Sequence, residues 1–316
     1  MIAYRVQHET VYSYSHSVSV SHNVAHLLPR ACDTQRLEEL QLRIEPEPSS
    51  LRHFDDYFGN PAVFFIVTEP HDRLRVLAES HVQVEPRDLI ELSTSPAWEQ
   101  VVETLRAAPD ARTLAAYEYV FDSPFVPTSA ELADYARPSF APGRPLLEAT
   151  DDLCHRIHRD FRYDPEATTL ATPIHEVLAE RHGVCQDFAQ VMSGALRSLG
   201  IAARYVSGYI RSANPKPEVP GASDLAPSAP DAKGEPPDLV GADASHAWVS
   251  VFCPSAGWVD FDPTNAMLPN DRHLVLGWGR DYDDVSPLQG VTLGGGLQTV
   301  AVGVQMRPAD EAPARR

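Results

Sequence analysis

Several features are scarce or missing in this 316-residue sequence, and each absence removes a class of protein. Basic side chains form no run: Lys and Arg number 26 against 44 Asp and Glu, for a formal net charge of −18 with histidines neutral. Such a chain repels a polyanion unless one face is locally basic, so a generic nucleic-acid binder is excluded. Long hydrophobic runs are missing too. None approaches the roughly 18 to 20 residues a membrane helix requires, so no membrane partner is expected. The start, Met1-Ile2-Ala3-Tyr4-Arg5, shows neither a basic segment leading into an apolar stretch nor a small-residue cleavage site, and a cytoplasmic location is expected. Cysteine is rare. Cys32, Cys154, Cys185 and Cys253 form no CxxC pair and are too few for a disulfide framework, so each is first a free thiol. What remains, 43% apolar and 22% charged residues, suits a globular chain with a real core, in one large domain or two to three small ones.

Residues 1–86 alternate apolar, aromatic and β-branched residues with polar ones, as in Val11-Tyr12-Ser13-Tyr14, Val18-Ser19-Val20-Ser21 and Leu74-Arg75-Val76-Leu77-Ala78. Period-two patterning broken by turns such as Phe58-Gly59-Asn60-Pro61 predicts antiparallel strands and a small β domain. Residues 87–146 become helical in pattern but are interrupted by seven prolines, and are expected to form a helical connection with short helices near Trp98 to Ala107 and Thr113 to Phe121. A longer amphipathic helix is predicted from Leu147 to Phe161.

Between 174 and 210 the pattern sharpens. Ile174 to Arg181 suits a short helix closed by Gly183, and a second helix runs from about Cys185 to Leu199 with Gly200 just past its end. Phe188, Val191, Met192, Ala195, Leu196 and Leu199 form one buried stripe on it. Strands are predicted for Ile201 to Ile210, Ala247 to Phe252 and Gly257 to Phe261. Residues 211–245 hold seven of the 28 prolines among Ala, Ser, Gly and Asp, a composition too poor in apolar surface to offset its ordering entropy. A mobile loop is expected there, either a solvent-exposed excursion or a gate over a site. Residues 291–316 are expected to supply a C-terminal strand and then a frayed tail from Pro308.

Cys185 follows Gly183-Val184 where the second helix begins, near unpaired backbone N–H groups and the positive end of the helix dipole, which favour a thiolate. A buried, inert thiol is the ordinary alternative. His246 starts one predicted strand and Asp262 follows the end of the next, so pairing through the turn at Pro254 to Gly257 would bring carboxylate and imidazole together. That is the base and orienter of a nucleophilic triad. Asp260 competes with Asp262, because side chains two apart on a strand share a face.

Three blocks in order, Gly183-Val184-Cys185-Gln186-Asp187-Phe188-Ala189, Ala244-Ser245-His246-Ala247-Trp248-Val249 and Trp258-Val259-Asp260-Phe261-Asp262-Pro263-Thr264-Asn265, resemble the core of the transglutaminase-like superfamily. The early Tyr4 to Tyr14 stretch, the turn Asp56-Tyr57-Phe58-Gly59-Asn60 and the late block Gly279 to Leu288 resemble its bacterial branch with an N-terminal β domain, whose members are often described as candidate cysteine proteases. The resemblance implies an α+β, papain-like core over residues 147–290, with the cysteine helix packed on an antiparallel sheet. It implies Cys185 as nucleophile, His246 as base and Asp262 as orienter. The Cys185 N–H would contribute to an oxyanion hole, with Tyr163 a candidate second donor, Gln186 beside the site, and Trp248 lining an acyl pocket or packing the core.

Other clusters carry less. His155 and His158 share a helix, but no second ligand cluster accompanies them, so a solvated face is expected and no metal. Asp281, Asp283 and Asp284 lack the glycine and distal glutamate of a calcium loop and suit a structural turn. His8, His16, His22 and His26 are expected as surface or core fillers. The implied reaction is attack on a peptide or amide carbonyl to form a thioester. Water as second nucleophile makes a hydrolase, a lysine amine makes a transglutaminase, and a non-catalytic peptide-binding module is the alternative of another class. A peptide or protein substrate is expected and no cofactor; the sequence leaves the oligomeric state open.

Overall fold

A computed structural model describes residues 1–87, 89–169, 172–211, 239–240 and 245–310. Most of the proline-rich 211–245 segment and residues 311–316 lie outside the described residues.

The spine of the first half is β1 (Ile2–Ala25), whose alternation buries Tyr4, Val6, His8 and Thr10 and turns Arg5, Gln7 and Glu9 outward. On one flank β4 (Pro61–Val67) and then β5 (His71–Val84) run antiparallel to it, and these are extended outward by β3 (Ser50–Asp55) on β4 and β2 (Gln35–Glu45) on β5. The other flank is built from the far end of the chain. One strand and then a frayed tail are expected after residue 290. Instead β12 (Leu288–Gly294) pairs with Val18–Ala25 and β13 (Gln298–Pro308) with Tyr4–Tyr14, one broken row along β1 with Gly294-Gly295-Gly296 at the break. Period two forecasts strands here, but no local pattern says to which sheet they return.

The helices α1 (Trp98–Ala107), α2 (Ala111–Tyr117), α3 (Ala130–Ala136) and α4 (Leu146–Asp160) follow. The short strands β6 (Arg162–Tyr163) and β7 (His182–Gly183) pair in parallel, with α5 (Ile174–Glu180) between them. Next come α6 (Cys185–Ser198) and a four-stranded antiparallel sheet in the order β10-β9-β8-β11, formed by β8 (Ala203–Ile210), β9 (His246–Cys253), β10 (Gly257–Phe261) and β11 (His273–Gly279). A cysteine-bearing helix thus lies on an antiparallel sheet and is preceded by a β domain, the α+β arrangement the resemblance implies. Phe188, Val191, Met192, Ala195 and Leu196 of α6 share one core with Ala247, Val249 and Val251 of β9.

Apolar contact joins the two sheets: Tyr4, Val6, Val82, Val84, Val304 and Met306 pack with Tyr209, Leu274 and Leu276. His8, buried between them, bonds Tyr209 Oη at 2.8 Å, and burial lowers its pKa to about 4, so it is neutral. The Asp56 to Asn60 turn supplies a second joint. Asn60 Nδ2 donates to the Trp278 carbonyl (2.9 Å) and its Oδ1 accepts the Trp278 N–H (3.0 Å), so one side chain extends the β11 ladder. No helix among the described residues is long and apolar enough to cross a membrane.

Candidate active site

The cysteine is set by a tightly closed helix start. Val184 is extended, and its N–H donates to Asp187 Oδ2 (2.8 Å), which also accepts from Thr168 Oγ1 (2.6 Å). Gly183 is required by that cap, since a Cβ there would lie 2.5 Å from the Asp187 carboxylate. Cys185 is therefore fixed on the first turn, where backbone N–H groups lack helical partners. It is 8% exposed, with Sγ 3.9 Å from the Ser245 carbonyl.

Ser245 brings in the strand that carries the imidazole. Phe261 pairs with Val249, so His246 at the start of β9 lies diagonally across from Asp262 just past β10, and His246 Nε2 meets Asp262 Oδ2 at 2.9 Å. Its other nitrogen, Nδ1, is buried with no hydrogen-bond partner among the described residues. Burial pushes the His246 pKa down, but the Asp262 carboxylate and the Cys185 sulfur outweigh it, and the net shift is upward. The imidazole thus holds its proton at neutral pH.

Asp262 collects donors on both oxygens. Oδ1 accepts the N–H groups of Thr264 (2.9 Å) and Asn265 (3.2 Å); Oδ2 accepts Asn265 Nδ2 (2.8 Å) and faces His273 Nε2 (3.2 Å) besides His246. Burial pushes its carboxyl up, yet His246 and these hydrogen bonds hold it well below the usual carboxylate range.

Comparison with known proteins follows the same division of the chain. Residues 4–83 match the bacterial transglutaminase-like N-terminal region and residues 133–263 the transglutaminase-like superfamily. The uncharacterized protein Rv2569c of Mycobacterium tuberculosis is 39% identical over 292 residues, covering 91% of this chain and 87% of that one. The chain belongs to the transglutaminase-like superfamily. A solved structure of a candidate cysteine protease from Cytophaga hutchinsonii has the same fold, with a TM-score of 0.72 at 19% identity over 99% of this chain and 92% of that one. A protein-glutamine gamma-glutamyltransferase of Pseudomonas aeruginosa is 29% identical over 150 residues, 45% of this chain and 19% of that one.

Within this transglutaminase-like core the geometry separates the two competing aspartates. Asp260 is bound to Arg87 (2.6 Å) and accepts Trp248 Nε1–H (3.2 Å), leaving Asp262 to His246. Trp248, expected in an acyl pocket or in the core, is wholly buried and backs His246 and His273, with ring centroids 6.2 and 5.5 Å away. An open acyl pocket cannot be lined by a side chain with no exposed surface. Tyr163 pairs through its backbone with Gly183 and packs edge-on to Phe188, beside the cysteine turn. Gln186 is half-buried next to Cys185.

Two further residues act on Asp262. Asn265 lies in the resembled Asp-Pro-Thr block and was legible as part of it. His273 was missed, since ten residues of loop and turn separate it from Asp262 and no spacing rule links them. The Asn270 N–H donates to His273 Nδ1 (3.2 Å), so the neutral ring carries its proton on Nε2 and donates to Asp262. Burial lowers the His273 pKa, keeping it neutral. His246, Asp262 and His273 have ligand-type atoms within 4.8 Å of one another. With its proton on Nε2, His273 has no lone pair there for a cation, and the trio is a hydrogen-bond relay.

The weaker clusters find structural uses. His155 is exposed, as expected, but His158 does more than face solvent: its Nδ1 donates to the Thr264 carbonyl (2.8 Å), tying α4 to the Asp262 loop. Asp281 accepts the N–H groups of Phe125 and Asp283 (both 2.9 Å), and Asp284 pairs with Arg280 (2.9 Å), a structural turn. Cys154 is buried beneath the site, where burial and then the Asp262 charge push its thiol well above the ordinary range.

Proposed function

We propose that this transglutaminase-like chain is a cysteine-dependent hydrolase of peptide or amide bonds, with Cys185 as nucleophile, His246 as acid and base, and Asp262 as orienter. The observation that carries the reading is the His246 ring: one nitrogen bonded to Asp262, the other buried, with no hydrogen-bond partner among the described residues, beside the helix-start sulfur. In the first step the sulfur attacks the carbonyl carbon, its lone pair forming the C–S bond while the carbonyl π electrons move to oxygen. The N–H groups at the start of α6, that of Cys185 first, are the proposed donors to the oxyanion. Collapse expels the amine, which takes the His246 proton, leaving a thioester. Water then attacks the thioester carbon as His246 accepts one of its protons, and collapse breaks the C–S bond, releasing the acid and returning the bond's electron pair to the Cys185 sulfur beside a protonated His246. A cytoplasmic peptide or protein is the proposed substrate.

Amine transfer is the second reading, favoured by the partial match to the Pseudomonas glutamyltransferase. Incubating the protein with a peptide library, with and without a primary amine, separates the two by product mass. Hydrolysis predicts cleaved or deamidated peptides whose yield is indifferent to the amine; cross-linked adducts as the main product would overturn it. Cys185→Ala should lose every product, a fall on the order of 10⁴-fold or more. Retained turnover in that variant contradicts both readings.

A further inference from the structure

The four-stranded sheet turns one face to α6, where Ala203, Tyr205, Val249, Val259 and Phe261 join the helix core. Their neighbours in sequence alternate to the other face. There Arg204 of β8 and Trp258 and Asp260 of β10 line a cavity of about 650 Å³, closed by residues 31–34 of the β domain, by Arg87 and Arg112, and by Trp278 of β11. Cys185, His246 and Asp262 are not among its walls.

Three arginines meet there over one buried carboxylate. Asp260 is already bound, to Arg87 at 2.6 Å and to the Trp248 Nε1–H at 3.2 Å. Arg204 has no such contact. Its Cζ lies over the rings of Trp278 (3.8 Å) and Trp258 (4.4 Å), its Nε is buried with no hydrogen-bond partner, and among the described residues it forms no ion pair. Arg30, stacked on the same Trp278 at 3.6 Å, differs, because its Nη1 donates to the Phe58 carbonyl and to Asn60 Oδ1 (both 2.7 Å). Burial lowers the Arg204 pKa to about 10, so its charge persists at neutral pH. Aromatic rings take only the faces of a guanidinium, and its N–H donors spread outward in the plane. A stacked guanidinium whose edge is unfilled is therefore shaped to receive a planar anion through two parallel hydrogen bonds. Arg112, exposed at the rim, likewise makes no ion pair among the described residues.

We propose that this cavity is a carboxylate-binding site, in which Arg204 takes the carboxylate edge-on, Arg112 adds positive charge at the rim, and the indole rings with Val206 and Val275 cover an apolar body. The charges on its walls select the ligand. With Arg87 and Asp260 paired, two arginines stand against the exposed Asp33, which suits one negative charge; a phosphate dianion would meet both aspartates. The volume falls within the roughly 300 to 1,000 Å³ of small-molecule sites, and the place, between the β domain and the core sheet, is one such sites favour. A free organic acid and the C-terminal end of a peptide share this chemistry. The inference is independent of the proposed reaction.

Calorimetric titration of the full chain tests it, with phenylacetate, phenylacetamide, a short apolar peptide bearing a free or an amidated C-terminus, and inorganic phosphate as probes. At least one of the two carboxylates should bind saturably, its amide at least about tenfold more weakly, and tryptophan emission should change with the same midpoint. Arg204→Gln should lower that affinity by about tenfold or more, and Arg204→Lys, which keeps the charge and loses the fork, by less. Arg112→Gln changes an exposed side chain, so it keeps the test valid if Arg204→Gln does not fold; it should cost about threefold. Tighter binding of phenylacetate makes the ligand a free acid, and tighter binding of the free-ended peptide makes it a chain terminus; each supports the site. No saturable carboxylate binding at millimolar concentration overturns it, as do amides that bind equally well, phosphate that binds more tightly than either carboxylate, or affinities that Arg204→Lys and Arg112→Gln leave unchanged.

Discussion

Asp260 and Asp262 stand two residues apart on the same face, yet the fold gives them opposite electrostatic company. Asp260 meets a guanidinium: Arg87 at 2.6 Å, with Arg204 stacked nearby on Trp258 and Trp278. Burial pushes its carboxyl up, and the two arginines bring it below the ordinary value. Among the described residues no arginine pairs with Asp262. Its partners are two backbone N–H groups, an amide and two imidazoles. Neutral donors fix a carboxylate without cancelling its charge, so the charge of Asp262 remains available to the His246 imidazolium. The Asp260 charge is spent on fixed cations. Trp248 stands between them, donating to Asp260 and packing on His246 and His273. Equivalent spacing in sequence therefore conceals a division between a carboxylate paired with arginine and one bonded to imidazole.

The largest expected effect breaks the orienting member. Asp262→Asn should lower kcat/KM by about 10³ to 10⁴-fold while the protein stays folded, because the amide cannot hold the His246 tautomer or its charge. The same change should move the alkaline limb of the rate profile downward. In wild type that limb lies above the ordinary imidazole range, since the His246 pKa is raised, and losing the carboxylate removes the main cause. Stability should follow the same two shifts. The Asp262 contribution is present above its ordinary 3.8 and disappears as pH falls through the lowered native value; that of His246 is present below 6.5 and disappears as pH rises through the raised one. Urea midpoints across pH read both, and the acid-side loss should be smaller in Asp262→Asn.

A smaller effect is expected at His273. Replacing it with Phe should cost about 10 to 100-fold in kcat with KM little changed, as for other groups that orient a functional side chain, and Gln, which keeps an N–H, should restore part of it. A merely structural role would lower stability without moving the pH profile. Least affected should be the rate of Asp260→Asn, within about tenfold of wild type, with the cost appearing instead as about 1 to 3 kcal/mol of stability from the unpaired Arg87. A loss in Asp260→Asn as large as in Asp262→Asn would erase the distinction.

The cysteine helix, the hairpin of β9 and β10 and the Gly183 break were legible because local physics writes them: a 3.6-residue stripe, a tight turn and a cap that admits no Cβ. His246 and Asp262 came within reach because a short hairpin converts sequence distance into spatial distance. His273 could not, since it arrives on β11 from across the sheet, next to β8 and not β9. The return of β12 and β13 to β1 is non-local for the same reason. Spacing alone leaves Asp260 and Asp262 equivalent and only the resemblance favours Asp262, because Arg87, which pairs with Asp260, lies far off in sequence at the start of the helical connection.

Iodoacetamide alkylation of each cysteine, followed by peptide mapping in wild type, Asp262→Asn and Asp260→Asn, addresses the relay directly. Cys185 should react faster than Cys154 and Cys253 in wild type, lose that lead in Asp262→Asn and keep it in Asp260→Asn. Equal rates at the three cysteines in wild type, or equal losses in the two variants, would contradict a Cys185 activated through His246 and Asp262.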